Sequence, residues 1–127
     1  MATKKSELFV VTKTKELTKY VFTVTEKSPK KFRYTLVSRM QNYCLDAVEN
    51  ILEANEIPLE SPLRLQFQKK TGIALRKLGY FSMLCEDVHC ILPVQAENIS
   101  KLQAEALWAL GKWIASDEKR RKQIDQN

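Results

Sequence analysis

The sequence predicts an all-α fold: an up-down-up-down antiparallel four-helix bundle formed by a single domain over residues 1–127. Four segments carry apolar side chains at a spacing of three and four residues, which is the period of an amphipathic helix. Prolines and short polar stretches separate these segments, and short connections force neighbouring helices to run antiparallel. A chain of 127 residues, 44% of them hydrophobic, can bury one ordinary core and has no room for a second domain.

The first segment, residues 8–27, fits both a helix and a strand. Nine β-branched residues lie between Val10 and Thr25, and such residues are typical of strands. We predict a helix, because a lone strand would have no sheet partner for its backbone groups. The helical core positions are Val10, Thr14, Leu17, Val21 and Val24.

The other three segments are predicted at residues 29–55, 62–91 and 95–117. Ser28 before Pro29, and Ser61 before Pro62, each predict a helix N-cap followed by proline in the first turn. The end segments 1–6 and 118–127 lack apolar periodicity, so we expect them to fray. The predicted core residues are Val37, Met40, Cys44, Val48 and Ile51, then Phe67, Ala74, Leu78, Phe81, Cys85 and Val88, then Ile99, Leu102, Ala106, Leu110 and Trp113.

The third and fourth segments each carry a second apolar line, away from the first. On the third segment this line comprises Ile73, Tyr80 and Leu84, and it continues to Ile91. On the fourth, Trp108 stands among the small residues Ala104, Gly111 and Ala115. We interpret these lines as an interface between copies of the chain. The alternative is a wide apolar arc buried inside one bundle.

The positive charge of the chain is clustered. The formal net charge is +6, yet residues 64–79 hold five basic side chains and no acid, while residues 46–63 hold five acids and no base. Basic clusters repeated in an oligomer would attract the phosphates of nucleic acid, whereas on an isolated helix they are typical of a solvated face. The predicted nucleic-acid-binding residues are Lys30, Lys31, Arg33, Arg39, Lys69, Lys70, Arg76 and Lys77.

No motif in the chain indicates an enzyme. The sequence lacks the signatures of nucleophilic hydrolases, phosphate-binding loops and zinc proteases. Cys85, His89 and Cys90 match no common zinc spacing, and on a continuous helix Cys90 would point away from the other two. We therefore expect no catalytic residue, metal or cofactor. Three cysteines without pairing motifs and the lack of a membrane-length apolar stretch predict a cytoplasmic protein.

Several short stretches resemble the bacterial four-helix proteins related to the accessory variability determinant, which accompany diversity-generating retroelements. The resemblance covers most of residues 8–116. It is carried by residues 28–36 (SPKKFRYTL), 39–41 (RMQ), 51–55 (ILEAN), 75–78 (LRKL) and 110–116 (LGKWIAS). The last stretch is similar to the family's closing leucine-glycine-x-tryptophan-isoleucine pattern.

The resemblance implies a basic homopentamer that binds the retroelement's reverse transcriptase and its template RNA, and so supports mutagenic copying into a target gene and retrohoming. DNA is the alternative nucleic acid. A related group, encoded within intervening sequences of ribosomal RNA genes, shares the bundle and the pentamer. It implies a protein-interaction scaffold with no polymerase partner. That group's second-helix ending does not stand at residues 50–56 (NILEANE), so the resemblance favours the retroelement branch.

Overall fold

The computed structural model describes the backbone of residues 2–126 and the side chains of residues 9–126. Four α-helices and no strand are present in this part of the chain, so the predicted all-α bundle is confirmed. The helices are α1 (Ala2–Thr25), α2 (Ser38–Glu56), α3 (Pro62–Asp87) and α4 (Pro93–Gln126). Helices α1 and α3 each pack against both α2 and α4, so the four form a closed square. The first segment is a helix, as its lack of a strand partner predicted.

The two predicted serine N-caps have different outcomes. Ser61 caps α3, since its hydroxyl accepts a hydrogen bond from the Leu63 N–H at 3.3 Å and Pro62 occupies the first turn. The prediction for Ser28 is wrong. A 3₁₀ turn (Lys30–Phe32) and a π-helical turn (Arg33–Val37) follow Pro29, and α2 begins only at Ser38. These turns pack part of their apolar side chains on the core before the regular helix starts.

The core contains most of the predicted apolar positions. All five predicted positions of α1 are buried, as are four of the five on α2 and all but Leu102 on α4. The prediction is least accurate on α3, where the buried line includes polar residues. It runs through Arg64, Gln68, Thr71, Leu75, Leu78, Ser82 and Cys85. The line predicted from apolar periodicity runs beside this buried line and shares Leu78 and Cys85 with it, but its Phe67 and Phe81 are only half-buried.

Helix α3 ends four residues earlier than predicted. His89 adopts a left-handed backbone conformation with φ of 63°, and the turn brings the Cys90 N–H within 2.7 Å of the Cys85 carbonyl, to which it donates a hydrogen bond. The early end leaves Val88 exposed, although it was predicted in the core. It also buries Ile91, which was expected to continue the second apolar line. Cys90 turns back toward Cys85, contrary to the continuous helix that placed it on the other side.

The predicted fraying of residues 118–127 is wrong as far as Gln126, because α4 continues through them. At its other end, α1 begins at Ala2, so the backbone of residues 2–6 is helical as well. Met1 and Asn127 lie outside the described residues. The tail is held to the bundle by Arg121, whose Nε donates a hydrogen bond to the Leu59 carbonyl at 2.8 Å. No helix in the described part of the chain is long and apolar enough to cross a membrane.

A buried polar cluster joins α3 and α4 at the end of the bundle where α2 finishes. Arg64 donates from Nε to Asp117 Oδ2 at 2.7 Å and from Nη2 to Oδ1 at 3.3 Å. Gln68 Nε2 donates to the same carboxylate at 2.9 Å. Arg64 also donates to the carbonyls of Ala54 and Ile57, which lie at the end of α2. The cluster therefore satisfies both a buried charge pair and the last carbonyls of a helix.

Candidate nucleic-acid interface

The solvent face of α3 presents four basic side chains around an apolar centre. A spacing of seven residues places Lys69 and Arg76 on one side of this face and Lys70 and Lys77 on the other. The first pair lines a hollow toward α4, and the second lines a hollow toward α2. Ile73 contributes to both hollows and lies between the two pairs. The structure therefore brings together all four predicted residues of α3.

These four side chains are exposed and have no ion-pair partner. Within residues 9–126, no carboxylate oxygen lies within 4.0 Å of any of their nitrogens. Elsewhere lysines are paired, as with Lys13, whose Nζ lies 3.3 Å from Glu105 Oε2. The ammonium groups of the second pair lie over aromatic rings, since Lys70 Nζ lies 4.6 Å from the ring centroid of Phe67 and Lys77 Nζ lies 5.9 Å from that of Tyr43, distances typical of a cation–π interaction. The positive charge of this face is therefore free to meet an anion.

Gly72 shapes the hollow between α3 and α4. A methyl group at this position would lie 3.3 Å from Leu110 Cδ2 and 3.5 Å from Arg76 Nη1. The glycine thus lets α4 approach closely and leaves room for the guanidinium to lie along its own helix. One acidic residue borders the basic face, since Asp46 lines the hollow on the α2 side together with Lys70 and Lys77.

The other four predicted residues form a separate cluster. Lys30, Lys31 and Arg33 are exposed on the 3₁₀ and π turns between α1 and α2, and Arg39 is exposed on the first turns of α2. None of them has a carboxylate partner among the described side chains. In an antiparallel bundle the connection between α1 and α2 lies at the same end as Asp87, the last residue of α3. Arg76 precedes Asp87 by eleven residues, so it lies about 16 Å along the helix axis from that end. The structure thus gives two basic patches.

The predicted interface residues of α3 are exposed, so a buried arc in the core does not explain them. Ile73 is 48% exposed, Tyr80 is 71% exposed, and Leu84 is exposed as well. However, Ile73 and Tyr80 lie on the same face as the four basic residues. A second subunit seated there would bury four like charges, which is unfavourable unless that subunit presents carboxylates to them. The basic face and a self-interface therefore compete for this part of α3.

The predicted interface residues of α4 form a separate solvent face. Trp108 is 58% exposed, and its ring makes an edge contact with Phe9 of α1 at a centroid distance of 5.5 Å. Ala104, Gly111 and Ala115 around it are exposed too. A methyl group built on Gly111 would meet no atom within 4 Å. Any close approach that this glycine permits must therefore come from another molecule.

An apolar groove lies between α1 and α2 and was not predicted from the sequence. The groove has a volume of about 300 Å³ and is lined by apolar side chains, among them Val11, Leu45 and Leu52, all exposed. A signal for it was present, because Leu45, Val48 and Leu52 repeat at three and four residues beside the core line of α2. Tyr34 was missed as well, and it stands exposed beside Arg33.

All three cysteines are buried, and Cys44 and Cys85 are poor nucleophiles. Burial raises the pKa of Cys44 to about 12, and the hydroxyl of Thr18 only partly opposes this. Burial also raises the pKa of Cys85 to about 12, with a further contribution from Cys90. Thiols with such values stay protonated at neutral pH. Among the described side chains, no three His, Cys, Asp or Glu residues are placed to hold a metal ion.

Comparison of the sequence with profiles of known protein families finds no match, and no curated protein is significantly similar to it.

Proposed function

We propose that this chain is a non-catalytic accessory protein of a diversity-generating retroelement. In this role it binds the reverse transcriptase and its template RNA in the cytoplasm and supports mutagenic cDNA synthesis and retrohoming. The basic face of α3 is the observation that carries the nucleic-acid part of the proposal. The polymerase, the template and the retroelement context come from the sequence resemblance.

Phosphate contact is the chemistry that this face supports. Lysine and arginine side chains that neutralise phosphates release condensed counterions, and this release gives binding energy without reading the base sequence. The four side chains of α3 suit this role because they need not break an ion pair to meet a phosphate. The exposed cluster of Lys30, Lys31, Arg33 and Arg39 supplies a second contact patch.

A homopentamer is part of this proposal, with the α4 face as its contact surface. Trp108 offers a large apolar side chain, and the small residues around it permit close approach. A closed ring would repeat the basic patches of every subunit around one axis. The change Trp108→Glu should then reduce the mass measured by light scattering to that of a monomer, while the helical circular dichroism stays unchanged. A pentameric mass for this variant would remove Trp108 from the contact.

The nucleic-acid part is tested by binding a structured RNA and a duplex DNA across a salt series. We expect tight binding at low salt and a steep fall in affinity as salt rises, because several phosphates are neutralised at once. Weak binding with a shallow salt dependence would contradict it. The polymerase part is tested by co-purification with the reverse transcriptase of a diversity-generating retroelement, with and without template RNA.

A protein-interaction scaffold without a polymerase partner is the second candidate. The apolar groove between α1 and α2 favours it, because such grooves receive the apolar face of a partner helix. Leu45→Glu and Leu52→Glu change this groove and leave the basic face intact. Loss of a protein partner in these variants, with unchanged RNA binding, would support the scaffold function of the groove.

A further inference from the structure

We propose that Tyr80, with Ile73 one heptad before it, is a stacking site for unpaired bases, so that the basic face of α3 binds single-stranded nucleic acid in preference to duplex. This inference rests on the proposed function and adds the class of strand that the face selects. Its basis is the placement of an exposed aromatic ring directly beside unpaired basic side chains.

The geometry of α3 sets Tyr80 next to the phosphate-binding side chains. Arg76 and Lys77 precede it by four and three residues, the spacings at which helical side chains are neighbours. The ring is 71% exposed, and its edge contact with Phe81, at a centroid distance of 6.1 Å, supports it from the core side. A base can therefore stack on the tyrosine while the adjoining phosphates meet the arginine and the lysine.

The arrangement favours single strands for a physical reason. Bases within a duplex are stacked on each other and present only their edges, and the deep groove of duplex RNA is too narrow for side chains to read. An unpaired base exposes its flat side, which can stack on an aromatic ring or an apolar side chain. Ile73 and Tyr80 provide apolar contact between the two basic pairs, where a duplex would touch phosphates alone.

The charge of this face also favours a nucleic-acid strand over a second copy of the chain as its occupant. A subunit seated on Ile73 and Tyr80 would bury the four basic side chains, which have no carboxylate partner among the described residues. A single-stranded polyanion covers the same apolar centre and neutralises the same charges. A second copy could pair these charges only by presenting acidic side chains such as those of residues 46–63, whereas a nucleic-acid strand carries a negative charge at every nucleotide, so charge complementarity favours nucleic acid as the occupant of this face.

The test compares Tyr80→Ala, Tyr80→Phe and the control Val94→Ala. Val94 is 59% exposed at the start of α4, no basic residue lies within four positions of it, and its side chain has no ring. The probes are a 20-nucleotide oligoadenylate and the duplex that it forms with oligouridylate. We expect Tyr80→Ala to weaken single-strand binding about 10- to 100-fold, with Tyr80→Phe and Val94→Ala within about twofold of the parent. Duplex binding should change little in all three.

The outcomes separate the inference from the proposed function. If neither probe binds the parent protein at low salt, both fail. If Lys69, Lys70, Arg76 and Lys77 are needed for binding while Tyr80→Ala binds the single strand like the parent, the nucleic-acid function stands and the stacking site is wrong. An equal loss of single-strand and duplex binding in Tyr80→Ala also overturns the preference. Circular dichroism and thermal melting establish that each variant is folded.

Discussion

One basic side chain of α3 is buried and paired, whereas four others on the same helix are exposed. Arg64, at the start of α3, is 5% exposed and makes two hydrogen bonds with a fully buried Asp117. Lys69, Lys70, Arg76 and Lys77, further along α3, are exposed and have no carboxylate partner among the described residues. All five belong to one basic stretch of the sequence. Burial and pairing, and not charge alone, therefore separate an arginine that holds the fold from side chains available to a ligand.

The difference has an energetic basis. A buried charge costs several kcal/mol to desolvate, so Arg64 is tolerated only because Asp117, Gln68 and helix carbonyls surround it. An exposed lysine keeps its water and costs the fold little. The first group should consequently affect stability when it is changed, and the second should affect binding.

The largest expected effect is on the buried pair. Asp117→Ala removes the carboxylate that pairs with the buried Arg64 guanidinium, so we expect the free energy of unfolding to fall by about 3–5 kcal/mol. Urea denaturation followed by circular dichroism measures this change. The control is Glu118→Ala, which removes an exposed carboxylate 3.7 Å from Lys122 Nζ and should change stability by less than about 1 kcal/mol.

A double variant tests whether removing both charges of the pair costs less stability than removing one. Replacing both partners, as Arg64→Met with Asp117→Leu, removes both buried charges and should be less destabilising than Asp117→Ala alone. If Asp117→Ala were as stable as Glu118→Ala, the pair would not hold α4 to α3, and the contrast between the two groups would collapse.

The buried thiols of Cys44 and Cys85 should make the free energy of unfolding depend on pH. Because burial raises the pKa of Cys44 and of Cys85 from 9.0 to about 12, the unfolded chain loses these protons at lower pH than the folded chain does. Their contribution to stability is therefore complete below about pH 9 and is lost as pH rises toward 12. Urea unfolding at pH 8, 9 and 10 measures this, and Cys44→Ala should show a flatter dependence. Parallel curves for the two proteins would contradict the prediction.

Alanine at two helical glycines tests where a helix surface has free space, with a smaller expected change in the free energy of unfolding. In the Trp108→Glu background, where the proposed contact between subunits is lost, Gly111→Ala should raise the free energy of unfolding by about 0.5–1 kcal/mol, because alanine favours a helix and nothing in the subunit lies near. Gly79→Ala in the same background is the matched control. Its methyl group would collide with the amide of Gln103, which donates a hydrogen bond to the Leu75 carbonyl at 3.0 Å, so the gain should be absent. Destabilisation by Gly111→Ala in this background would contradict the prediction, whereas destabilisation in the parent alone would place Gly111 in the contact between subunits.

The smallest expected effect on stability is at the basic face. Changing Lys69, Lys70, Arg76 and Lys77 together to glutamine should alter the free energy of unfolding by less than about 1 kcal/mol, since no ion pair is lost and repulsion among the four charges is relieved. Thermal melting checks this. A large loss of stability would mean that these side chains are structural, as Arg64 is.

The sequence was sufficient to predict the bundle, because apolar residues at helical spacing and proline-marked breaks are local signals. It was not sufficient on α3, where polar side chains occupy the core line. A charged residue on a core line itself indicates a buried ion pair. Trp113 follows Leu110 by three residues, and Asp117 follows Trp113 by four. Its partner Arg64 is 53 positions away, and no periodicity connects the two.

The candidate site was predictable in part for the same reason. Spacings of seven placed Lys69 with Arg76 and Lys70 with Lys77 on one helix, and the structure confirms that grouping. Ile73 and Tyr80 lie three or four residues from these side chains, so helical spacing also places them on the same face. The sequence could not show that this face is exposed, because the orientation of a helix depends on its packing against the others. Arg64, counted in the same basic stretch, could be recognised as structural only from its buried partner.

One measurement tests most directly the claim that the unpaired charges of α3 form the binding surface. Affinity for a single-stranded RNA is measured across a salt series for the parent, for the glutamine variant of Lys69, Lys70, Arg76 and Lys77, and for an equally charged control. That control changes Lys15, Lys19, Lys101 and Lys119, which are also exposed. We predict a slope of log affinity against log salt smaller by about three in the α3 variant, and a smaller change in the control. Equal slopes for the two variants would mean that net charge alone, and not this face, binds the nucleic acid.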